Sequence, residues 1–546
     1  MKPSLDQAMF EEREVVTSHG GMVTSPHHLA SEAGAAVLRE GGSAVDAAIA
    51  TAAVLAVIYP HMTGMGGDAF WLIHDPLARK VRYLDGGGRA FAGANPEFFR
   101  SKGLSEVPFR GIWPATLTTP GAVASWSAAH QAHGRLSMAH NLAAAVAYAR
   151  EGYPVSARLS GWIQRCRDDC QALPGWASLF LPEGDVPVPG SQLANPALAR
   201  TLQAVAQGGA LAFYGGEVGA QLARFAQAHG GFFSASDLAA QTAKWGEPLK
   251  GTYRDLTLYQ TPAPTQGFTV LQMLKLVEPL GLNRMDLFDP QRIHWMVQAK
   301  QISYHDRDRW LGDPAFVDVP MEVLLSDAYL DQRRALMDPV RALPWDKVPS
   351  YGSLRGDTVY IATVDSHGQA VSLIHSLYGA FGSGVVDTQT GVLLQNRSAY
   401  FSLEQGHPNV LAPGKVPLHT LIASMGFKND ELWSVMGCMG ADGQPQIQFQ
   451  TYCAMVDHGL DIQQAVQMPR WLSGRFALGE ARDTLHAESR MGESALAGLA
   501  SRGHWLNRWG PWNELAGHAH GLVRDTRHGH WLGGADPRSD GMAVAG

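Results

Sequence analysis

The sequence predicts an α+β protein in which pairs of strands and pairs of long helices stack in layers. The clearest strand pair is residues 356–373, where apolar and polar residues alternate on both sides of the turn Ser366-His367-Gly368-Gln369. Ala- and Leu-rich amphipathic stretches elsewhere in the chain indicate long helices. Because strand pairs are mixed with helix pairs, the sequence favours a layered α+β domain over a doubly wound sheet.

The first predicted elements are two helices followed by two strands. One helix is expected from Pro26 to the stop signal Gly41-Gly42, and a second, Ala-rich helix from about residue 43 to residue 57. A glycine-rich turn then leads into a strand at 68–73, and another strand follows at 81–84. Such glycines are typical of a phosphate loop, but this turn precedes a strand and no Gly-Lys-Ser/Thr follows, so nucleotide binding is disfavoured.

The later elements are assigned from the same periodicities. Residues 115–245 are predicted to be mostly helical, helices continue to about residue 338, and residues 344–355 have the polar composition of an exposed linker. Strands are expected at 256–260, 391–394 and 421–426, a helix at 448–457, and a closing hairpin around 525–528.

Composition excludes several classes of function. The 546 residues are 45% hydrophobic and 17% charged, with a formal net charge of −7, which is typical of an ordinary soluble protein. No run of Lys and Arg stands out, so nucleic acid is not expected as a partner. The longest apolar run, residues 47–59, is too short to span a bilayer, and the N-terminus has no apolar signal-peptide core. We therefore expect a cytoplasmic protein with no membrane partner.

The sequence gives little support for a metal or another cofactor. Cys166 and Cys170 lie one helical turn apart, which is the spacing of half a metal site, but no second pair with ligand spacing follows. The 22 histidines include no His-Glu-x-x-His, and the chain has no Gly-x-Ser-x-Gly nucleophile elbow. We therefore predict no metal and no cofactor, and we disfavour an α/β-hydrolase.

Thr358 begins the first strand of the central hairpin and is preceded by Asp357. A threonine hydroxyl is a weak nucleophile unless a base lies beside it. One solution is to cut the chain just before the threonine, so that its freed α-amine becomes that base. Taken alone, Asp-Thr at this position is most often only the start of a strand.

Several motifs, in this order, resemble the γ-glutamyltransferase family of N-terminal-nucleophile (Ntn) hydrolases, of the divergent acylase or oxamate amidohydrolase type. The match spans nearly the whole chain, and no single motif carries it. The matching segments are Gly41-Gly42-Ser43-Ala44-Val45-Asp46-Ala47-Ala48, Gly64-Met65-Gly66-Gly67-Asp68, Asp85…Arg89, Pro264-Thr265-Gln266-Gly267, Asp357-Thr358, Gly368-Gln369-Ala370-Val371-Ser372, Phe381-Gly382-Ser383-Gly384, Pro413-Gly414-Lys415, Pro417-Leu418, Met439-Gly440-Ala441 and Ala535-Asp536-Pro537-Arg538-Ser539-Asp540.

The resemblance implies a four-layer αββα sandwich that is made as a precursor. The precursor would cut itself between Asp357 and Thr358 into a large fragment, 1–357, and a small fragment, 358–546, which together form one structural domain. The family also implies that the two fragments stay associated and can pair into a heterotetramer. Thr358 would attack an amide carbonyl and form an acyl-enzyme, which water or an amine then resolves.

The resemblance also assigns residues to the catalytic steps. The glycine pair that binds the oxyanion falls on Gly440 and Ala441, where alanine still offers a backbone N–H. Ser376 matches a family threonine that hydrogen-bonds the nucleophile, although by itself it is more typical of a solvent-facing strand residue. Arg89 is the best match to the arginine that holds the substrate carboxylate. The alternative for Arg89 is an ion pair with Asp85 or an exposed position on the glycine loop.

The chain departs from the family where γ-glutamyl enzymes grip the α-amino and α-carboxylate groups of glutamate. The acid that pairs with the ammonium becomes Tyr400, a second polar position becomes Arg397, an amide becomes Tyr378, and a serine pair becomes His419-Thr420. A buried ammonium without a partner is costly, so γ-glutamyl donors should bind poorly. A carboxylate, by contrast, would be held by Arg89 and by Arg397.

We therefore predict a small-molecule substrate, an amide that carries a carboxylate but no α-amine. The bulk of Tyr378, Tyr400 and His419 favours a small substrate, and oxamate-like hydrolysis ranks first. A true γ-glutamyltransferase or glutathione hydrolase and a glutaryl-type cephalosporin acylase remain alternatives. A non-processing relative that only binds ligands is a further alternative, and it differs from the enzymes in that its chain stays uncut.

Overall fold

The computed structural model describes residues 13–344, 356–475 and 484–546. Almost all of the predicted linker at 344–355, and the N-terminal residues on which the absence of a signal peptide was argued, lie outside these ranges. Two seven-stranded antiparallel sheets dominate the described part of the chain.

Sheet I contains the central hairpin, and its strands come from both ends of the chain. In spatial order its strands are Met542–Ala545, Met22–Ser25, Asp357–Val364, Ala370–Tyr378, Asp68–Asp75, Lys80–Gly86 and Lys244–Gly246. Sheet II is, in order, Val16–Ser18, His530–Ala535, Ala519–Asp525, Glu431–Cys438, Ala423–Lys428, Leu256–Gln260 and Leu249–Tyr253.

The two sheets pack face to face over an apolar core. Phe70, Tyr360 and Ile374 of sheet I meet Met425 and Val435 of sheet II in one buried cluster. Alternate side chains of each strand point to the opposite face, where each sheet buries a second apolar surface against helices. Two further apolar clusters therefore lie between the outer face of each sheet and the helices that cover it.

Helices cover both outer faces. On sheet I the main helices are His28–Arg39, Ala44–Ile58, Ala122–His133, Met138–Glu151 and Pro196–Tyr214. On sheet II they are Phe268–Val277, Pro290–Trp310, Gln444–His458 and Ile462–Gln467. The order of layers is thus helix, sheet, sheet, helix, which confirms the four-layer αββα sandwich.

The shorter elements decorate the two ends of the sandwich. Three small sheets pair Tyr153–Pro154 with Gln192–Leu193, Val385–Asp387 with Val392–Leu394, and Thr484–Glu488 with Trp471–Ser473 and Trp505–Trp509. The remaining α-helices are Pro96–Arg100, Trp113–Thr116, Ala157–Cys170, Trp176–Phe180, Glu217–Ala228, Ala235–Ala239, Met321–Leu324, Asp327–Arg334 and Glu493–Ser501.

The helix Ala44–Ile58 illustrates how local sequence positions the sheets. Ser43 caps it in a capping box with Asp46, as the start predicted from sequence requires. Every residue of the helix is buried, because its small side chains allow neighbours to approach on all sides. At Gly34 a Cβ would lie 2.2 Å from Oγ1 of Thr51, so only glycine permits the preceding helix to pack this closely.

Most predicted elements are confirmed, but one helix begins later than predicted, and several strands, among them Leu249–Tyr253 and Thr484–Glu488, were not predicted. The helix expected to begin at Pro26 begins at His28, after the N-cap His27, because Met22–Ser25 forms a buried strand of sheet I instead of leading into the helix. The strand Glu431–Cys438 was not predicted, since its first residues alternate poorly. No helix among the described residues is long and apolar enough to cross a bilayer.

Candidate active site

Thr358 is the second residue of the strand Asp357–Val364 and is almost completely buried. The register of this strand against Ala370–Tyr378 shifts between Asp357 and Val359, where Ser376 and Leu377 of the partner strand form a β-bulge opposite Thr358. A bulge re-aims the side chain it carries. Here Oγ1 of Thr358 donates a hydrogen bond of 3.1 Å to Oγ of Ser376.

Ser376 connects the threonine to the peptide bond that precedes it. Its hydroxyl donates to the carbonyl oxygen of Asp357 at 2.6 Å and accepts from the backbone N–H of Tyr378 at 2.8 Å. Ser376 is fully buried, so the interpretation of it as a solvent-facing strand residue is wrong. Tyr378 itself has φ = +78°, an unusual conformation for a bulky residue and a local strain beside the bulge.

Gly440 and Ala441 lie against the segment that leads to Thr358. A Cβ on Gly356 would come within 2.6 Å of Cβ of Ala441. Gly440 has φ = +136° and Ala441 has φ = +46°, so both have a positive φ, which is uncommon for a residue with a side chain such as Ala441. Neither backbone N–H donates a hydrogen bond to another described residue. Backbone N–H groups of this kind are the donors that an oxyanion requires, and the oxyanion role of Gly440 and Ala441 stays a prediction.

The buried guanidinium group of Arg397 contacts the hydroxyl of Ser376. Nη2 donates to Oγ of Ser376 at 3.3 Å, and Nη1 donates to Oγ1 of Thr420 at 3.1 Å. The guanidinium also lies over the ring of Tyr378, 4.5 Å from its centroid. Burial lowers the pKa of Arg397 to about 10, while Asp68 opposes that shift, so the side chain is charged at neutral pH. Its Nε has no hydrogen-bond partner among the described residues.

Asp68 ties together the loops that surround this guanidinium. Its Oδ1 accepts from the N–H of Gly88 at 2.8 Å, from the N–H of Gly121 at 3.3 Å and from Nε2 of Gln395 at 3.1 Å. Its Oδ2 lies 3.0 Å from Nε2 of His419. Burial raises the pKa of Asp68 to about 7, against the attraction of Arg397.

Burial also lowers the pKa of His419, so this ring is neutral and donates to Asp68. Sequence reasoning gave Asp68 no role beyond its place in a matching motif. The sequence did contain a signal for such a role, namely an acidic residue at the start of an otherwise apolar strand. A carboxylate buried there requires several hydrogen-bond donors around it.

Tyr400 occupies a second polar cluster beside Ala441. Its hydroxyl donates to Oδ1 of Asp442 at 2.7 Å, and Nη1 of Arg307 lies 2.6 Å from the same oxygen. Arg307 also donates to Oε1 of Gln266, whose Nε2 donates to the carbonyl of Ala441 at 3.1 Å. The charge of Asp442 is therefore balanced by Arg307, and this network fixes the peptide that follows Ala441.

Arg89 is not brought into contact with this cluster in the described part of the chain. Its side chain is half-buried, and Nη1 lies 3.5 Å from the carbonyl oxygen of Gly414. It attracts Asp85, whose pKa burial nevertheless raises to about 6, without a close ion pair between the two. The neighbouring Gly88 reaches the site through its N–H bond to Asp68. The role of Arg89 in substrate binding stays a prediction.

A cleft of about 810 Å³ opens beside Asp357, and we call it the Asp357 cleft. Gly356, Asp357, Met439 and Gly440 are among the residues that line it. Burial and the charge of Glu514 raise the pKa of Asp357 to about 8. The run Asp536–Asp540, of which Pro537 and Arg538 line the cleft, is a turn with an internal ion pair between Arg538 and Asp536 at 3.0 Å.

Comparison with known proteins decides the family. The profile of the family described as Gamma-glutamyltranspeptidase matches residues 30–546. The chain belongs to this family. It is 39% identical over 523 residues to the "Glutathione hydrolase-like YwrD proenzyme" of Bacillus subtilis (strain 168), covering 96% of this chain and 98% of that one. It is 38% identical to the "Oxamate amidohydrolase proenzyme" of Klebsiella pneumoniae, covering 97% and 99% of the two chains.

The solved structures agree with the family assignment. The crystal structure of cephalosporin acylase from Bacillus halodurans superimposes with a TM-score of 0.90 at 34% identity, over 98% of this chain and 97% of that one. The γ-glutamyltranspeptidase family consists of Ntn hydrolases, and this chain has their fold. The protein is therefore an enzyme of the amidohydrolase type.

Proposed function

We propose that the protein cuts itself between Asp357 and Thr358 and then hydrolyses a small amide that carries a carboxylate, such as oxamate. The nucleophile would be Thr358, and the fragments 1–357 and 358–546 would form the mature enzyme. Strands of both fragments alternate in sheet I, with Met22–Ser25 and Asp68–Asp75 flanking the central hairpin. Separation would break hydrogen bonds along whole strands, so the fragments stay together after the cut.

The first reaction is the cut itself. Oγ1 of Thr358 attacks the carbonyl carbon of Asp357, a C–O bond forms, and the C–N bond to Thr358 breaks as its nitrogen takes up a proton. Ser376 is suited to this step, since its hydroxyl bonds both Oγ1 of Thr358 and the carbonyl oxygen of Asp357. That step frees the α-amine of Thr358, and water then hydrolyses the ester, which regenerates the hydroxyl of Thr358 and leaves Asp357 with a new α-carboxylate.

Turnover repeats the same chemistry on an external amide. The free α-amine of Thr358 takes the proton of Oγ1 as the oxygen attacks the amide carbon. The N–H groups of Gly440 and Ala441 bind the oxyanion, and the leaving amine departs with the transferred proton. Water resolves the resulting ester and regenerates the hydroxyl.

The observation that carries the substrate assignment is the position of Arg397. Its guanidinium is buried, bonds the hydroxyl of Ser376 and therefore lies next to the nucleophile. A carboxylate one or two bonds from the scissile carbonyl would meet this fork and the hydroxyl of Thr420. The unused Nε of Arg397 is a further donor. Oxamate, with its carboxylate bonded directly to the amide carbon, fits this spacing.

The same cluster disfavours a substrate with a free α-amino group. A γ-glutamyl donor brings an ammonium that requires an acid, and Tyr400 replaces the acid of the family. Asp442 is near, but Arg307 and the hydroxyl of Tyr400 already occupy its Oδ1. An ammonium beside the positive charge of Arg397 would be repelled.

Ammonia release from oxamate tests this assignment against turnover of γ-glutamyl-p-nitroanilide and of glutaryl-p-nitroanilide. We expect oxamate to give the highest kcat/KM. The similarity to a cephalosporin acylase makes the dicarboxylic acyl group the second candidate. A processed enzyme that releases nitroaniline from the γ-glutamyl compound and no ammonia from oxamate would contradict the proposal.

A further inference from the structure

Arg397 differs from the other deeply buried arginines in the partners of its guanidinium group. Four arginines are among the largest fully buried side chains of the described residues. Three of them form ion pairs, Arg307 with Asp442, Arg470 with Asp536, and Arg538 with Asp536 and Glu488. Arg397 forms no ion pair with a carboxylate in the described part of the chain. A buried charge without a close counter-charge is costly, so the position of this one requires an explanation.

The partners of Arg397 are neutral groups beside the peptide bond that we propose is cut. Nη2 donates to Oγ of Ser376 at 3.3 Å, and Nη1 donates to Oγ1 of Thr420 at 3.1 Å. Asp68 attracts the guanidinium group from a greater distance. In the uncut chain the positive charge is therefore directed at two hydroxyls, before any substrate carboxylate is bound.

Ser376 turns this contact into a directed hydrogen bond. Besides Nη2 of Arg397, its oxygen accepts from Oγ1 of Thr358 at 3.1 Å and from the backbone N–H of Tyr378 at 2.8 Å. A hydroxyl oxygen has two lone pairs, so three donors occupy its capacity as an acceptor completely. Its own proton is therefore left for the carbonyl oxygen of Asp357, which lies 2.6 Å from Oγ.

The predicted oxyanion donors do not hold this carbonyl oxygen in the uncut chain. The N–H groups of Gly440 and Ala441 donate to no other described residue, and Asp357 is one of those residues. The carbonyl oxygen of Asp357 accepts from Ser376 instead. The side-chain donor available to the chain's own carbonyl is thus Ser376, with the charge of Arg397 behind it.

Self-cleavage places a negative charge where this pair of residues can stabilise it. Attack by Oγ1 of Thr358 moves the π electrons of the Asp357 carbonyl onto its oxygen. The hydrogen bond from Ser376 then strengthens, because its acceptor has become negative, and the guanidinium group polarises the same O–H bond further. When the C–N bond breaks, the nitrogen takes up the proton of Oγ1 and the electrons return to form the ester carbonyl, so no other reactant is needed.

We propose that Arg397 is a positioning residue for self-cleavage, whose charge acts through the hydroxyl of Ser376 on the carbonyl oxygen of Asp357. One guanidinium group thus serves two reactions in succession, first the cut and then the binding of the substrate carboxylate. The inference rests on the self-cleavage step of the proposed function and adds a residue to it. It does not depend on which amide the mature enzyme hydrolyses.

The rate of self-cleavage in freshly made chains is the measurement. Chains are synthesised in a cell-free system, and the fraction cut is followed over time on a denaturing gel. Arg397→Gln removes the charge and keeps an amide donor, and we expect the cut to be about 30-fold slower, within the range for loss of a charge-assisted hydrogen bond. Arg397→Lys keeps the charge, so it should be only about fivefold slower and reach the wild-type final extent.

A double-mutant cycle with Ser376 separates this role from support of the fold. Because the charge acts through the hydroxyl, Arg397→Gln should slow the cut by less than about twofold in a chain that already carries Ser376→Ala. An arginine that only stabilises the fold would slow the cut by the same factor in both backgrounds. The cycle therefore gives a readout that a purely structural role does not move.

Arg110→Gln is a matched control for the general effect of positive charge near the cut bond. The charge of Arg110 also acts on Asp357, since it favours the ionised form of that carboxyl group. The guanidinium group of Arg110 donates to the carbonyls of Ala380 and Gly382 and not to Ser376. Its replacement should change the rate of the cut by less than about threefold. Melting temperatures in a Thr358→Ala background check the folding of each variant.

Each result has a distinct meaning. An Arg397→Gln chain that cuts at the wild-type rate, equal factors in the two backgrounds, or an equal loss in Arg110→Gln overturns the inference, and hydrolysis of oxamate by the cut wild type would leave the proposed function standing. Slow cutting of Arg397→Gln with a coupled cycle, but no hydrolysis of oxamate by the mature wild type, supports the inference and overturns the substrate assignment. If the wild-type chain is never cut, both proposals fail.

Discussion

Oγ1 of Thr358 donates a 3.1 Å hydrogen bond to Oγ of Ser376. Ser376 in turn donates a hydrogen bond to the carbonyl oxygen of Asp357, so one hydroxyl contacts both Oγ1 of Thr358 and the carbonyl oxygen of the preceding residue. This relationship joins two strands that are neighbours in sheet I but lie on either side of a turn. The predictions below test what this contact and its surroundings do.

Replacement of Ser376 should slow self-cleavage. Ser376→Ala removes the donor to the carbonyl of Asp357, and we expect the rate to fall by about 100-fold, as for loss of one oxyanion donor. Ser376→Thr keeps the hydroxyl that the family uses and should cut within about tenfold of the wild-type rate. The fraction of cut chain over time, followed on a denaturing gel, measures both. Equal rates for the alanine variant and the wild type would exclude this role.

Arg397 should bind the substrate carboxylate through the paired N–H donors of its guanidinium group and not only through its charge. Arg397→Lys retains a positive charge but loses the two parallel donors, so kcat/KM for oxamate should fall by about 100-fold. The loss should appear mainly in KM, since the carboxylate is bound before and during the reaction. Melting temperature and extent of self-cleavage serve as controls for folding. A lysine variant with wild-type KM would show that the carboxylate binds elsewhere.

The pKa of Asp357 predicts a pH dependence of the uncut chain. Because the pKa rises from 3.8 to about 8 on folding, the folded chain keeps a proton that the unfolded chain releases. Folded stability should therefore fall as pH rises from about 4 to about 8. In a Thr358→Ala background, which stays uncut, Asp357→Asn removes the ionisable group and with it this pH dependence of stability. The gap in melting temperature between the two proteins should widen from pH 5 to pH 8, and a constant gap would contradict the shift.

Gly440 and Ala441 should respond differently to a single methyl group. Gly440→Ala adds a Cβ at φ = +136°, 3.1 Å from Cδ1 of Ile447, which displaces an oxyanion donor. We expect kcat to fall by about 100-fold. Ala441→Gly keeps its N–H and removes the strain of φ = +46°, about 1 kcal/mol, so activity should change by less than about threefold. Stopped assays on the processed variants compare the two.

Loss of the Asp68 carboxylate should cost stability. Asp68→Asn keeps the shape and one oxygen for the N–H groups of Gly88 and Gly121, but it replaces the oxygen that accepts from Nε2 of His419 with an amide nitrogen that cannot accept. We expect the free energy of unfolding to fall by about 2 kcal/mol, because buried donors are left without a partner. Asp75→Asn, in the same strand but partly exposed, is the control and should change stability by less than about 0.5 kcal/mol. Denaturant titration of the two variants decides between them.

Much of the fold follows from local sequence. The central hairpin, the capping boxes at Ser43 and Ser234, and the ion-paired turn at Asp536–Arg538 each depend on residues within a few positions of one another. Their signals are therefore complete in a short window. The short buried strand Met22–Ser25 is different, because its conformation comes from pairing with residues 362–364 and 542–545.

The site was predicted only in part for the same reason. Thr358 and Ser376 were predicted from the strand start and from the family resemblance, and the structure brings their hydroxyls into contact. The hydrogen bonds of Asp68 reach Gln395 and His419, more than 300 residues away, and no periodicity reports such contacts. The Asp357 cleft combines residues from several distant segments of the chain and is likewise visible only in three dimensions.

The most direct test of the account is the mass of the purified protein under denaturing conditions, with N-terminal sequencing of any smaller fragment. The account predicts a fragment that begins at Thr358 and ends at Gly546, and a Thr358→Ala variant that stays whole. A wild-type chain that remains intact after long incubation would contradict the assignment of Thr358 as an N-terminal nucleophile.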